Sequence, residues 1–166
     1  MLTIDPASSE DFLLIQQIAH ATWPITFGEI LSTTQIEYML DWMYSIPALQ
    51  EQVETKGHHF LLAREDGNVL GFLSYELSYQ GKPTTKIHKI YVLPTTQGKG
   101  VGRTLLENAA QKAREAGNIR LSLNVNRYNK ALEFYKKLSF TINAQEDIDI
   151  GQGFLMEDYI LEKQLL

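Results

Sequence analysis

The chain contains no cysteine. Disulfides, thiolate metal sites and a cysteine nucleophile are therefore all excluded. It has no apolar run approaching the length of a membrane span. Its start, Met1-Leu2-Thr3-Ile4-Asp5-Pro6, lacks a basic segment followed by an apolar one and does not read as a signal peptide. The cytoplasm is the default expectation, with no membrane partner. Basic residues are too few for a non-specific nucleic-acid binder: the formal net charge is -5 and the pI about 5.4. No repeat, low-complexity tract or linker interrupts the chain. Its length suits one domain spanning 1–166 around one core. Apolar residues make up 44%, enough for that core and too many for a disordered chain.

Periodicity gives a coarse order of elements. Residues 2–5 read as a short strand. Ser8, with Asp11 three residues on, caps a helix carrying Phe12, Ile15 and Ala19 on one face. Trp23-Pro24 should end that helix, because the residue before proline is pushed out of the helical region. Ser32-Thr33-Thr34-Gln35 is a capping box for a second helix with Ile36, Met39, Leu40 and Met43 on one stripe. Strands are predicted at 60–64 and 69–77, joined by the turn Asp66-Gly67-Asn68. A third follows at 86–93. A helix at 100–116 carries Val101, Leu105, Ala109 and Ala113 on one stripe and ends at Gly117. A strand at 119–125, a short helix at 129–138 and strands at 140–144 and 154–163 complete the chain. This is a mixed sheet with helices on its faces, an α/β (α+β) domain.

Between the third strand of the middle group and the helix after it, residues 97–103 read Gln-Gly-Lys-Gly-Val-Gly-Arg. Glycines there let the backbone approach a ligand closely. The free N–H groups of the first helical turn favour an anion. Lys99 and Arg103 add positive charge to an otherwise acidic chain. A nucleotide-hydrolase loop would need Ser or Thr after Gly98-Lys99, and Gly100 stands there. A dinucleotide fingerprint would need Gly-x-Gly-x-x-Gly, whereas Gly98, Gly100 and Gly102 are spaced by two.

Gln97, Gly100 and Gly102 fit Gln/Arg-x-x-Gly-x-Gly, which resembles the coenzyme A pyrophosphate loop of the GNAT superfamily, the Gcn5-related N-acetyltransferases. The strand at 86–94 and the segment 129–140, with its Phe134-Tyr135, are similar to the flanking motifs of that family. Two positions depart from it. Leu138-Ser139-Phe140 stands where the family has Leu-Gly-Phe. Tyr128 holds the place usual for an asparagine, and Asn129 follows it.

The resemblance implies a mostly antiparallel sheet of about seven strands flanked by about four helices. It implies acetyl-coenzyme A as co-substrate, with no metal, and transfer of its acetyl group to a primary amine. Cofactor contacts would come from Gln97, Gly98, Lys99, Gly100, Val101, Gly102, Arg103 and Asn129. The backbone N–H groups of Ile90, Tyr91 and Val92 would hold the acetyl carbonyl and the pantetheine. Tyr135 takes the position of the general acid that protonates the departing thiolate.

An alkyl ammonium, with a pKa near 10.4, must lose a proton before it attacks. His88 is the first candidate base, with Glu29, Glu37, Asp41, Glu76, Asp147 and Asp149 as alternatives. Trp23, Phe27, Tyr38, Trp42 and Tyr44, together with Asp147, Asp149, Glu157 and Asp158, suit an extended ammonium compound or are simply core and solvated surface. The Thr26-Phe27 region and second helix resemble the bacterial diamine and polyamine branch. Acetylation of a protein or peptide amine is the alternative within the enzymes. A non-catalytic coenzyme A sensor is the alternative outside them. Relatives often form homodimers.

Overall fold

The computed structural model describes residues 1–96 and 98–165. Seven strands form one open sheet: β1 (Thr3–Pro6), β2 (His58–Glu65), β3 (Asn68–Glu76), β4 (Thr84–Val92), β5 (Arg120–Asn126), β6 (Thr141–Asp149) and β7 (Leu155–Gln164). Their spatial order is β1-β2-β3-β4-β5-β7-β6. Every neighbouring pair is antiparallel except β4–β5, which is parallel. A parallel pair needs a crossover. Here that crossover is α4 (Val101–Glu115).

Alternating side chains bury both faces of the sheet's first half. On one face Leu61, Leu73, Ile87, Leu121 and Leu123 pack with Leu105, Ala109 and Ala113 of α4. Tyr135 of α5 (Ala131–Lys137) joins this core. On the other face Phe60, Leu62 and Phe72 pack under α1 (Phe12–Phe27), α2 (Thr33–Tyr44) and α3 (Ile46–Glu54). The fold is the expected mixed sheet with about seven strands, and the described residues carry five α-helices where about four helices were expected.

Two helical expectations need correction. The first helix does not stop at Trp23-Pro24 but continues to Phe27 with Pro24 inside it. Trp23 and Phe27, one helical turn apart, are 1% and 3% exposed. Burying both rings outweighs one lost backbone bond and the local preference of the residue before proline. The second correction is α3, which was missed. It starts at Ser45, whose side chain accepts from Ala48 N–H at 3.2 Å, and Pro47 lies in its first turn.

The capping box of α2 forms in half. Ser32 Oγ accepts from Gln35 N–H at 3.1 Å, while the Gln35 amide donates to the Leu155 carbonyl at 2.9 Å. The Tyr38 hydroxyl likewise donates to the Ile150 carbonyl at 2.7 Å. These two bonds tie α2 to the β6–β7 hairpin and hold one wall of the site described below.

Ser139 has φ +73°, the left-handed conformation expected of the residue that ends α5. Its N–H donates to the Lys136 carbonyl, and that of Phe140 to the Tyr135 carbonyl. A Cβ in this conformation costs about 1–2 kcal/mol, part of which glycine returns as unfolded-state entropy. Ser139→Gly is therefore expected to stabilise the protein by roughly 0.5–1 kcal/mol. Urea midpoints of the two proteins would measure it, and a lower midpoint for the glycine variant would refute the assignment.

Candidate active site

Two local features open the sheet at its centre. The β3–β4 register shifts between Ser74↔Lys89 and Tyr75↔Ile87, so His88 is an extra residue on β4, a bulge. Pairing of β4 with β5 then ends at Ile87↔Leu123. Past that point the strands diverge, and β4 continues to Val92 along β3 alone.

Antiparallel pairs alternate in the direction of their N–H groups. The Leu93 N–H donates to the Leu70 carbonyl across β3–β4. Counting back along the unbroken register, Tyr91 N–H also faces β3, whereas those of Ile90 and Val92 face the gap. Of the three donors expected from the sequence, two thus point where a ligand could lie. Tyr91 offers instead a ring, packed 5.8 Å from Trp23 and 5.9 Å from Phe72.

At one end of the gap stands the N-terminus of α4. Its first helical bond in the ladder runs from Thr104 N–H to the Gly100 carbonyl, so the N–H groups of Val101, Gly102 and Arg103 precede it. Gly98 and Gly100 have φ +89° and +71° with open space where a Cβ would project. At Gly102 an added Cβ would lie 3.3 Å from Phe134 Cζ, so this glycine lets α5 close over the helix start. Arg103 pairs with Glu107 at 3.0 Å in solvent. Lys99 is exposed, and Gln97 lies outside the described residues.

The gap, the helix start and the α1–α2 wall line one cleft of about 1470 Å³. Tyr135 reaches it from α5, 7% exposed, with its ring edge-on to Phe134 and Phe140. Its hydroxyl makes no hydrogen bond among the described residues, and burial pushes the phenol pKa above its usual value. Asn129 also lines the cleft, but its side-chain oxygen accepts from Ala131 N–H at 2.9 Å. Its amide NH2 has no partner among the described residues.

His88 is half-buried and lines the cleft. Its Nε2 lies 2.9 Å from Glu76 Oε1, and its ring stacks on His58 with centroids 3.9 Å apart. Burial pushes the His88 imidazole well below its usual range, with His58 and Lys89 adding to the effect. Burial raises the Glu76 carboxyl pKa. The ligand atoms of His58, Glu76 and His88 fall within 4.8 Å of one another. The two rings, however, lie 11° from parallel, so an ion in the plane of one would sit outside the plane of the other. This arrangement suits a hydrogen-bonded pair better than shared metal coordination.

Burial, reinforced by Lys89, also holds His58 down at about 4. Unfolding returns both imidazoles to about 6.5, so the unfolded chain binds more protons below that value. The associated stability is complete above about pH 6.5 and is lost as pH falls toward 4. Thermal midpoints should decline across that window, and His58→Gln should flatten the decline. An unchanged slope in the variant would show that other groups carry it.

The aromatic residues near the acceptor side divide. Trp23, Phe27 and Tyr44 are core. Tyr38 stacks on Trp42 and packs at a tilt of 45° against Phe154, and Trp42 is 52% exposed at the cleft rim. Among the carboxylates, Asp147 and Glu157 pair with Arg127, and Asp149 accepts from Gly151 N–H. Asp158 alone of that group is buried and lines the cleft. It accepts from the Asn124 amide at 3.2 Å, and Asn124 in turn accepts from the Lys86 ammonium. Sequence reasoning missed this chain of three, as it missed His58, because its members lie on three different strands.

Comparison with known proteins agrees with this geometry. The family model described as Acetyltransferase (GNAT) family matches residues 15–140. The L-amino acid N-acyltransferase MnaT of Escherichia coli is 35% identical over 92 residues, 54% of this chain and 54% of that protein. The chain thus spans little more than half the length of that relative. Over nearly full length, the spermidine N(1)-acetyltransferase of Thermoplasma acidophilum is 27% identical, covering 94% of this chain and 96% of its own. Among solved structures, PaiA N-acetyltransferase from Thermoplasma acidophilum in complex with coenzyme A superposes with a TM-score of 0.82. It is 26% identical and is covered to 99%, as is this chain.

Proposed function

Since the chain belongs to the acetyltransferase (GNAT) family, we propose that it transfers the acetyl group of acetyl-coenzyme A to a primary amine of a small molecule, a di- or polyamine. The observation that carries this reading is the divergence of β4 from β5 beside the open N-terminus of α4, within one cleft. It is supported by the coenzyme A complex of the structural neighbour and by the spermidine acetyltransferase relative.

In this reading the pyrophosphate lies on the backbone of 98–103, where unpaired N–H groups and the helix dipole favour an anion. Arg103 and Lys99 add charge from outside, and Asn129 offers its amide from the turn before α5. Gln97 belongs to the same loop by sequence. The pantetheine runs into the gap and pairs with the Val92 N–H. The acetyl carbonyl takes the Ile90 N–H, a fixed donor aimed where negative charge develops. Tyr91 walls the gap.

His88 is neutral and passes the proton of the bound ammonium on to solvent, its ring oriented by the Nε2–Glu76 hydrogen bond, because burial leaves its imidazolium too unstable to retain the proton. The freed amine attacks the thioester carbon, a C–N bond forms, and the C–S bond breaks. Tyr135 gives its proton to the departing sulfur, and the nitrogen of the new amide gives up its remaining extra proton to restore the phenol. With no cysteine available, transfer is direct, with both substrates bound together.

Release of free thiol from acetyl-coenzyme A, measured across a panel of primary amines and peptides, tests the proposal. Thiol release with peptides alone, or with none of the panel, would overturn it.

A further inference from the structure

Asp158 differs from every other carboxylate near the cleft. It is 5% exposed, and its Oδ1 has no hydrogen-bond partner among the described residues. Its Oδ2 is served by Asn124, behind which lies the Lys86 ammonium. An unpaired oxygen on a buried carboxylate is costly, and a ligand cation would remove that cost. Burial raises the pKa of this carboxyl, while Asn124 and Lys86 oppose the shift.

Its position relative to the reacting centre follows from strand register. Asp158 pairs with Asn126 of β5. Asn126 lies three residues beyond Leu123, the last β5 residue paired with β4, so Asp158 flanks β5 where the sheet has opened. Asp158 and the gap therefore lie on opposite sides of β5, and Asp158 and Ile90 line the same cleft. Neighbouring paired strands are about 4.8 Å apart, so more than one strand spacing separates the gap from this carboxylate. Glu146 of β6 stands directly opposite Asp158 in the register and also lines the cleft.

We propose that Asp158, with Glu146 beside it, binds a second, non-reacting ammonium of the acceptor and so selects amines that carry two positive charges. This rests on the amine-acetylating reading above. Crossing that separation takes a diamine with several carbons between its nitrogens, for which putrescine serves as the probe.

Putrescine and butylamine share the reacting end and the chain length, and only putrescine has the second charge. The wild type should favour putrescine by at least about tenfold in kcat/KM, mainly through KM. Asp158→Asn, nearly isosteric, should bring the ratio to within about threefold of unity. A wild type that does not distinguish the two amines, or a folded Asp158→Asn that keeps the full preference, would overturn the proposal. If Asp158→Asn does not fold, Glu146→Gln must lower the ratio by about threefold or the proposal falls.

Failure of the underlying activity is separable. If neither amine releases thiol, the transfer reading fails for these two acceptors and is decided by the wider amine panel. Calorimetric binding of putrescine to protein saturated with coenzyme A then tests the subsite alone, with loss of binding in Asp158→Asn as the supporting result and unchanged binding as the refuting one.

Discussion

Gly100→Glu is expected to weaken acetyl-coenzyme A binding at least about a hundredfold in a protein that still folds. Gly100 caps α4 in the left-handed region, φ +71°, with nothing within 4 Å of the place a Cβ would take. The substitution therefore meets no steric obstacle in the free protein beyond the left-handed strain of about 1–2 kcal/mol. What it changes is the charge and bulk at the site assigned to the pyrophosphate. A carboxylate there competes for the N–H groups of Val101–Arg103 and repels the ligand. Gly67→Glu is the matching control. Gly67 has φ +79° and equally open space, but it lies in the turn between β2 and β3. It carries the same strain and should leave calorimetric affinity unchanged. Equal affinity in both variants would remove the loop from the binding site.

The parts of this site that were legible in the sequence are contiguous. The strand, glycine loop and helix from Lys86 to Glu115 form one run of chain, and hydrophobic period changes mark its boundaries. The segment from Asn129 to Phe140 is equally local, and the left-handed turn at Ser139 could be anticipated because Leu138-Ser139-Phe140 stands where the family has Leu-Gly-Phe. Side chains that meet only through sheet pairing were not legible. His58 is 30 residues from His88, and their contact requires β2, β3 and β4 in register plus the bulge that turns His88 onto the same face as Lys89. Asp158 and Glu157 are neighbours with identical chemistry in sequence, yet strand alternation buries one in the cleft and leaves the other to Arg127. Pro24 failed as a stop signal for a different reason. Local backbone preference is worth little beside two buried aromatic rings.

The same bulge links the fold to the chemistry. By adding one residue to β4 it ends the β4–β5 ladder after Ile87, and the N–H groups of Ile90 and Val92 lose the partners that a regular strand would have supplied. A buried donor without a partner is unfavourable in the free protein. The thioester carbonyl and a pantetheine amide would complete them, so the cost of opening the sheet becomes part of what favours the bound state.

Tyr135→Phe is expected to lower kcat by at least about tenfold while leaving the dissociation constant of acetyl-coenzyme A nearly unchanged. The ring is 7% exposed and packs edge-on between Phe134 and Phe140, contacts that phenylalanine keeps. Its hydroxyl donates to no group among the described residues, so folding stability should hardly move. What disappears is a proton needed only as the carbon–sulfur bond breaks, an interaction of the transition state rather than of either bound substrate. The raised phenol pKa has two consequences. It keeps the hydroxyl protonated throughout the physiological range, so Tyr135 should contribute no alkaline fall in kcat below about pH 10. It also makes the phenol a weaker acid than usual. That does not abolish the transfer, because a thiolate emerging into the same cleft is itself destabilised by poor solvation and becomes a stronger base. Full turnover in Tyr135→Phe, with acceptor and acetyl-coenzyme A both saturating, would assign the phenol to packing and leave water as the proton source.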